Sequence, residues 1–190
     1  VADYFEGRTA GGPRLLDLML AEPDRFWEPE DLEEFTRTRQ RPVGRPAERF
    51  SYSDTGYILL GMLLEHVTGQ SFHELLHERI FGPVGMRDSY LMFHSEPAAG
   101  ARPLAPLHLG RVETSGFTSL SCDWAGGGIV STLDDLARFS AALHGGELVS
   151  PGSLAEMARM RHRFRRGIHY GAGLMEVRFE GFFPLLRGLP

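Results

Sequence analysis

With 190 residues, 42% of them hydrophobic, the chain has enough apolar material for a sizeable packed core, which excludes a disordered tail or linker. A net charge of −5 without a basic stripe argues against a nucleic-acid partner, and no apolar run approaches the roughly 18 residues of a membrane span. All 20 basic residues are arginine, a bias that fits a GC-rich genome and leaves these residues no lysine for any mechanism; the single cysteine, Cys122, rules out an internal disulfide and reads as a small core residue.

Residues 13–21 carry an apolar face, with Pro13 at a plausible first helical position. Residues 29–39 open on Pro29, Glu30 and Asp31 and close on Arg37 and Arg39, the charge order that suits a helix dipole. The stretch 40–50, with two prolines and a glycine, reads as a loop. A strong helix is predicted from Asp54 to about Val67, so apolar all round that burial on most sides is expected, and Gly69 closes it. Ser71 and Glu74 form a capping box for the next helix, expected to run to about Phe81 and to stop at Gly82 and Pro83.

From Ser95 to Gly128 the chain is rich in Pro, Gly, Ala and Ser, a connection long enough to suggest function. Gly126, Gly127 and Gly128 lead into the short apolar run Ile129 and Val130. Thr132 caps a helix to about Leu143 with Asp134 and Asp135 in its first turn, and Ser150 with Pro151 opens another to about Met160. Arg159, Arg161, Arg163, Arg165 and Arg166 read as a solvated helix end and loop. Residues 170–179 read as a strand without an obvious partner in the chain, and nothing caps the end at Pro190. No leader-like stretch opens the chain, which reads as beginning inside a domain.

Chemistry concentrates in residues 50–57, FSYSDTGY. A phenol (Tyr52), two hydroxyls (Ser53, Thr55) and a carboxylate (Asp54) meet at a helix N-terminus, which favours anions. With a cation nearby, a phenol there titrates below its free value of about 10 and becomes a usable general base. The bland alternative has Tyr52 as a core aromatic and Ser53 as a helix cap.

FSYSDTGY and the following ILLGMLLEHVTGQSFHELLHERIFGPVGMRDSYL resemble a characteristic stretch of the class C β-lactamase-like serine hydrolases, the superfamily of β-lactamases, D-alanyl-D-alanine carboxypeptidases, D-aminopeptidases and many carboxylesterases. WAGGGIVSTLDDLARFSAAL (124–143), the opening DYFEG and YGAGLMEV (170–177) resemble further blocks in family order. The resemblance implies an α/β fold of the β-lactamase/transpeptidase type, here a helix-rich piece made of the helical subdomain and the edge of the sheet domain. It implies hydrolysis of an ester, amide or peptide through a serine acyl-enzyme without a cofactor. Its three motifs are Ser-x-x-Lys, Tyr-x-Asn, and Lys- or His-x-Gly on a strand. Tyr52 falls on the tyrosine, and Asp54 replaces the asparagine. A carboxylate accepts hydrogen bonds but cannot donate one to a substrate carbonyl, which favours an esterase or simpler peptidase over a β-lactamase. Trp124 and Gly126–Gly128 are the candidate substrate-binding residues. Family order puts the first motif before Val1 and the third after Pro190, so the chain is expected to be incomplete and inactive alone. A scaffold module that has lost the chemistry is the runner-up.

Two short motifs compete. His73, Glu74 and His77 spell H-E-x-x-H, a zinc-peptidase pattern, but Glu74 already completes the capping box, and Ile80 occupies the place of the extended motif's glycine; no metal is expected. His108, Leu109 and Gly110 spell His-x-Gly but precede the glycine block, out of family order, and read as a coincidence in a surface loop.

Overall fold

The computed structural model describes residues 1–183, in two compact units, Val1–Phe139 and the unit that begins at Ser140. No helix among the described residues is long and apolar enough to cross a membrane. The expectation about the end at Pro190 lies outside them.

In the first unit, α1 (Leu15–Ala21) starts two residues later than expected: Arg14 is the N-cap, and Asp17 accepts from the Arg14 backbone and guanidinium. α2 (Pro29–Arg39) has the expected bounds, with Pro29 at the first position, where a missing N–H costs nothing. α3 (Asp54–Thr68) is capped by Ser53 and closed by Gly69 at φ 70°, a left-handed cap that suits glycine. Its expected burial on most sides is corrected. Ile58 and Gly61 are buried, but Leu60, Leu63 and Val67 are 55%, 53% and 65% exposed, because no described segment packs on that side.

α4 (Phe72–Leu76) has the expected capping box: the Ser71 N–H donates to Glu74 and the Glu74 N–H to Ser71 Oγ. The helical path does not stop at Gly82 and Pro83. It widens into a π turn (His77–Phe81), continues as α5 (Gly82–Val84) and ends at Gly85, φ 69°. Pro83 sits in the first turn of α5, directly after the π turn, a position that tolerates proline. The connection 95–128 is ordered. β2 (His108–Leu109) pairs with β3 (Val112–Glu113), a 3-10 turn spans Thr118–Asp123, and α6 (Trp124–Gly127) follows. His108 therefore lies in an exposed hairpin. β4 (Ile129–Val130) pairs antiparallel with β1 (Tyr90–Leu91). The core gathers Tyr4, Leu15, Met19, Trp27, Leu32, Ile58, Leu91, Cys122 and Trp124. Cys122 is fully buried, as its expected core role requires.

The unit boundary falls within α7 (Leu133–Gly145), whose first turn is capped by Thr132 Oγ1, accepting from the Asp135 N–H at 3.2 Å. In the second unit, α8 (Pro151–Met157) is capped by Ser150 and ends before Met160. The arginine run does not form a helix end and loop throughout. His162–Arg165 is strand β5, paired with β6 (Ile168–Tyr170), which pairs with β7 (Met175–Val177). The strand read over 170–179 thus has partners, and a turn near Gly173, φ 80°, divides it.

Candidate functional site

The residues before α3 build the site. Ser53 Oγ donates to the Ala2 carbonyl at 2.9 Å and accepts from the Gly56 N–H at 3.3 Å. The Tyr4 N–H donates to Thr55 Oγ1, which shares a hydrogen bond with Thr36 Oγ1. Asp3 Oδ2 accepts from the Asp54 N–H at 2.8 Å, satisfying one of the donors a helix N-terminus leaves open. Residues 2–4 therefore lie along the start of α3 and fix the tyrosine loop from one side. A cleft of about 500 Å³ lined by Asp3, Glu6, Arg8, Thr9, Arg41 and Ser51 borders that loop.

Tyr52 is half-buried, with its ring 5.9 Å from that of Tyr57, and its phenol is hydrogen-bonded to Asp54. Burial, then the negative charge of Asp54, push the phenol up to about 12. Burial, then the neighbouring Asp3, also raise the Asp54 carboxyl, against the pull of the Tyr52 hydrogen bond. The surroundings supplied by these residues thus favour a neutral phenol. Nothing in them yields the phenolate that base chemistry needs.

The glycine block meets the site through one residue. A Cβ built on Gly126 would lie 3.6 Å from Asp54 Cβ, an ordinary contact, and 3.2 Å from the Tyr4 hydroxyl, a tight one, so α6 comes within van der Waals reach of the start of α3 here. Gly127 faces open space. Gly128 closes the turn: its N–H donates to the Trp124 carbonyl at 2.9 Å, so that amide is not free to receive a ligand.

Trp124 is corrected as a lining residue. It is 3% exposed, and its ring packs 5.3 Å from Phe72 and 6.3 Å from His94, so no face of it is open to a substrate.

The structure adds residues the sequence did not single out. Asp123 lies close enough to Asp54 for the two charges to interact, and burial followed by that charge pushes it up to about 6. Tyr4, fully buried, donates its hydroxyl to the Cys122 carbonyl at 2.8 Å, and burial raises its pKa far above the ordinary value. An acid directly before an apolar, glycine-rich run was the available signal for Asp123. Tyr4 and Asp3 act through partners about 50 residues or more away, which no local pattern reveals. Around the H-E-x-x-H motif, Glu74 is occupied by Ser71 and His73 Nε2 lies 3.3 Å from Ser71 Oγ. No group of three or more potential metal ligands exists among the described residues.

The sequence profile of the Beta-lactamase family matches residues 8–182. Penicillin-binding protein 4 of Amycolatopsis lactamdurans is 34% identical over 129 residues, 62% of this chain and 33% of that protein. A D-aminopeptidase of Brucella anthropi is 35% identical over 72 residues, 38% of this chain and 14% of that protein. Among solved structures, D-amino acid amidase from Ochrobactrum anthropi SV3 complexed with L-phenylalanine amide superimposes with a TM-score of 0.70 at 27% identity, covering 82% of this chain and 47% of that one. The penicillin binding protein from Bacillus halodurans gives a TM-score of 0.72 at 25% identity, covering 92% and 53%. The chain thus spans a third or less of these two curated relatives and about half of each solved structure.

Proposed function

Because the chain belongs to the beta-lactamase family of serine hydrolases and has its β-lactamase/transpeptidase-like α/β fold, we propose that the whole protein cleaves an ester or amide bond through a serine acyl-enzyme, with Tyr52 carrying the proton. The observation that supports this reading is the Tyr52–Asp54 pair at the start of α3, with Gly126 closed against it. A serine hydroxyl is a weak nucleophile until a base takes its proton. In the reaction the serine Oγ bonds to the substrate carbonyl carbon while its proton passes to the Tyr52 oxygen. The tetrahedral intermediate collapses, the leaving group departs with that proton, and water repeats the sequence to free the acid.

Tyr52 performs this only with a cation close by, since its present neighbours hold it neutral. Arginine would supply charge but does not shuttle a proton, and these residues hold no lysine. Both the serine and the lysine of the family's first motif are therefore assigned to sequence outside these 190 residues. Asp54 would hold that lysine by charge, where the family's asparagine would also donate to a substrate carbonyl. This favours a simple ester, amide or peptide over a β-lactam, and the D-aminopeptidase and D-amino acid amidase relatives support the same choice. Asp54 in place of asparagine also favours the second reading, a non-catalytic binding module of the same fold. Hydrolysis of p-nitrophenyl butyrate and D-phenylalanine amide by the whole protein, lost in Tyr52→Phe, is the expected result. Absence of turnover with either substrate would leave the binding module.

A further inference from the structure

Asp54 and Gly61 stand seven residues apart on α3, which at about 3.6 residues per turn puts them on one face, two turns from each other. The single turn α6 lies along that face and meets it at both places. Gly126 abuts Asp54, and at the other end Trp124 and Ala125 close onto Gly61. A Cβ on Gly61 would stand 2.7 Å from Ala125 Cβ and 2.8 and 2.9 Å from Trp124 Cζ3 and Cη2. Ordinary carbon contacts are about 3.5–4.0 Å, so a methyl group there demands on the order of 1 Å of extra room.

The neighbours cannot give that room independently. The Trp124 indole is fully enclosed against Phe72 and His94, and its backbone is held at φ 24°, ψ −115°, a conformation that non-glycine residues adopt only where the surroundings impose it. Ala125 follows it directly in the same turn, and the Gly128 N–H ties that turn back to the Trp124 carbonyl. Relief therefore comes from parting α6 and α3 as bodies, which carries Gly126 away from Asp54.

We infer that Gly61 is a positioning residue for the tyrosine site: by admitting Trp124 and Ala125 against α3, it sets how closely the glycine segment approaches Asp54. The inference rests on the proposed hydrolase reading, because it is the geometry of that site which Gly61 controls.

The test uses the whole protein and four versions of it: wild type, Gly61→Ala, Trp124→Phe with Ala125→Gly, and all three changes together. Trp124→Phe removes the ring atoms that a Cβ at position 61 would strike, and Ala125→Gly removes the remaining contact. In the wild-type background Gly61→Ala is expected to lower kcat by about 10- to 100-fold with little change in KM, the scale of an ångström-sized misplacement. In the loosened background the same change is expected to alter kcat less than about twofold, and the triple variant to be more active than Gly61→Ala although its core is depleted. A role in folding alone would make the triple variant the worst of the four. Unchanged kcat for Gly61→Ala, an equal loss in both backgrounds, or failure to fold in both would overturn the inference. A wild type that does not hydrolyse, or that is indifferent to Tyr52→Phe, would instead overturn the hydrolase reading.

Discussion

Replacing Asp54 with Asn is expected to make the Tyr52 phenol easier to ionise. Burial is the first cause of its rise to about 12, followed by the Asp54 charge and then the hydrogen bond to Asp54. Asparagine keeps the size and an accepting oxygen but removes the charge. Two unit charges about 4 Å apart interact by about 1 kcal/mol in water and about 4 kcal/mol at an effective dielectric constant near 20. Tyr52 is partly open to solvent, so the lower end applies, and about 1.4 kcal/mol corresponds to one pH unit. The midpoint should fall from about 12 towards about 11. Ultraviolet absorbance of the phenolate, taken as the difference from a matched Tyr52→Phe protein, isolates this group from the other four of the five tyrosines. The stability linkage has a defined sign. The folded value lies above the unfolded value of 10.0, so the contribution is complete below pH 10 and is lost as pH rises through about 12; Asp54→Asn narrows that window from its upper edge. A midpoint that stays put or moves up would refute the claim that the Asp54 charge acts on Tyr52.

Asp135 is fully buried and accepts from the Asp88 N–H, Ser89 Oγ and Arg138 Nη1; Arg138 is 54% exposed and Ser89 keeps Ser131, so Asp135→Ala leaves chiefly the Asp88 N–H without its acceptor and should destabilise by about 1–3 kcal/mol in chemical denaturation. Ser71→Ala removes a helix cap and should cost about 1 kcal/mol while the Glu74 carboxyl, held low by Ser71, returns upward in a carboxylate titration by NMR. Burial lowers the His94 pKa, so its stabilising contribution is complete above pH 6.5 and is lost as pH falls below that value. Asp123 works the opposite way near pH 6, so the His94 effect should be read as the difference in denaturation midpoint between wild type and His94→Gln across pH 5–7.

The parts of the fold legible in the sequence are those set by local rules. α2 kept its bounds because Pro29 and the charged ends mark them, and α3 because Ser53 and Gly69 cap it. The capping box of α4 was legible for the same reason. Long-range pairing was not legible: β1 and β4 are two residues each and far apart in the chain, too short to show a period. β5 was hidden because its arginines read as a charge run facing water, while the partner strand and the register shift between Arg163 and Arg165 exist only in the folded pairing. The motif pointed to Tyr52 and Asp54 as candidates, and the structure sets Asp54 beside Gly126 of the glycine block. Trp124 was misread because an aromatic beside glycines suits an entrance and a tight helix contact equally well; Gly61, seven residues beyond Asp54, is what makes it a contact.

The most direct measurement of the central claim is labelling with a fluorophosphonate probe, which reacts with an activated serine and needs no knowledge of the substrate. The whole protein is predicted to label stoichiometrically on a serine outside residues 1–190 that is followed, after two intervening residues, by Lys, and to label far more slowly as Tyr52→Phe. The 190-residue chain alone is predicted not to label, since it contributes the tyrosine but neither the lysine nor an assigned nucleophile. Stoichiometric labelling of the 190-residue chain on one of its own serines, or labelling of the whole protein at an undiminished rate in Tyr52→Phe, would contradict the account.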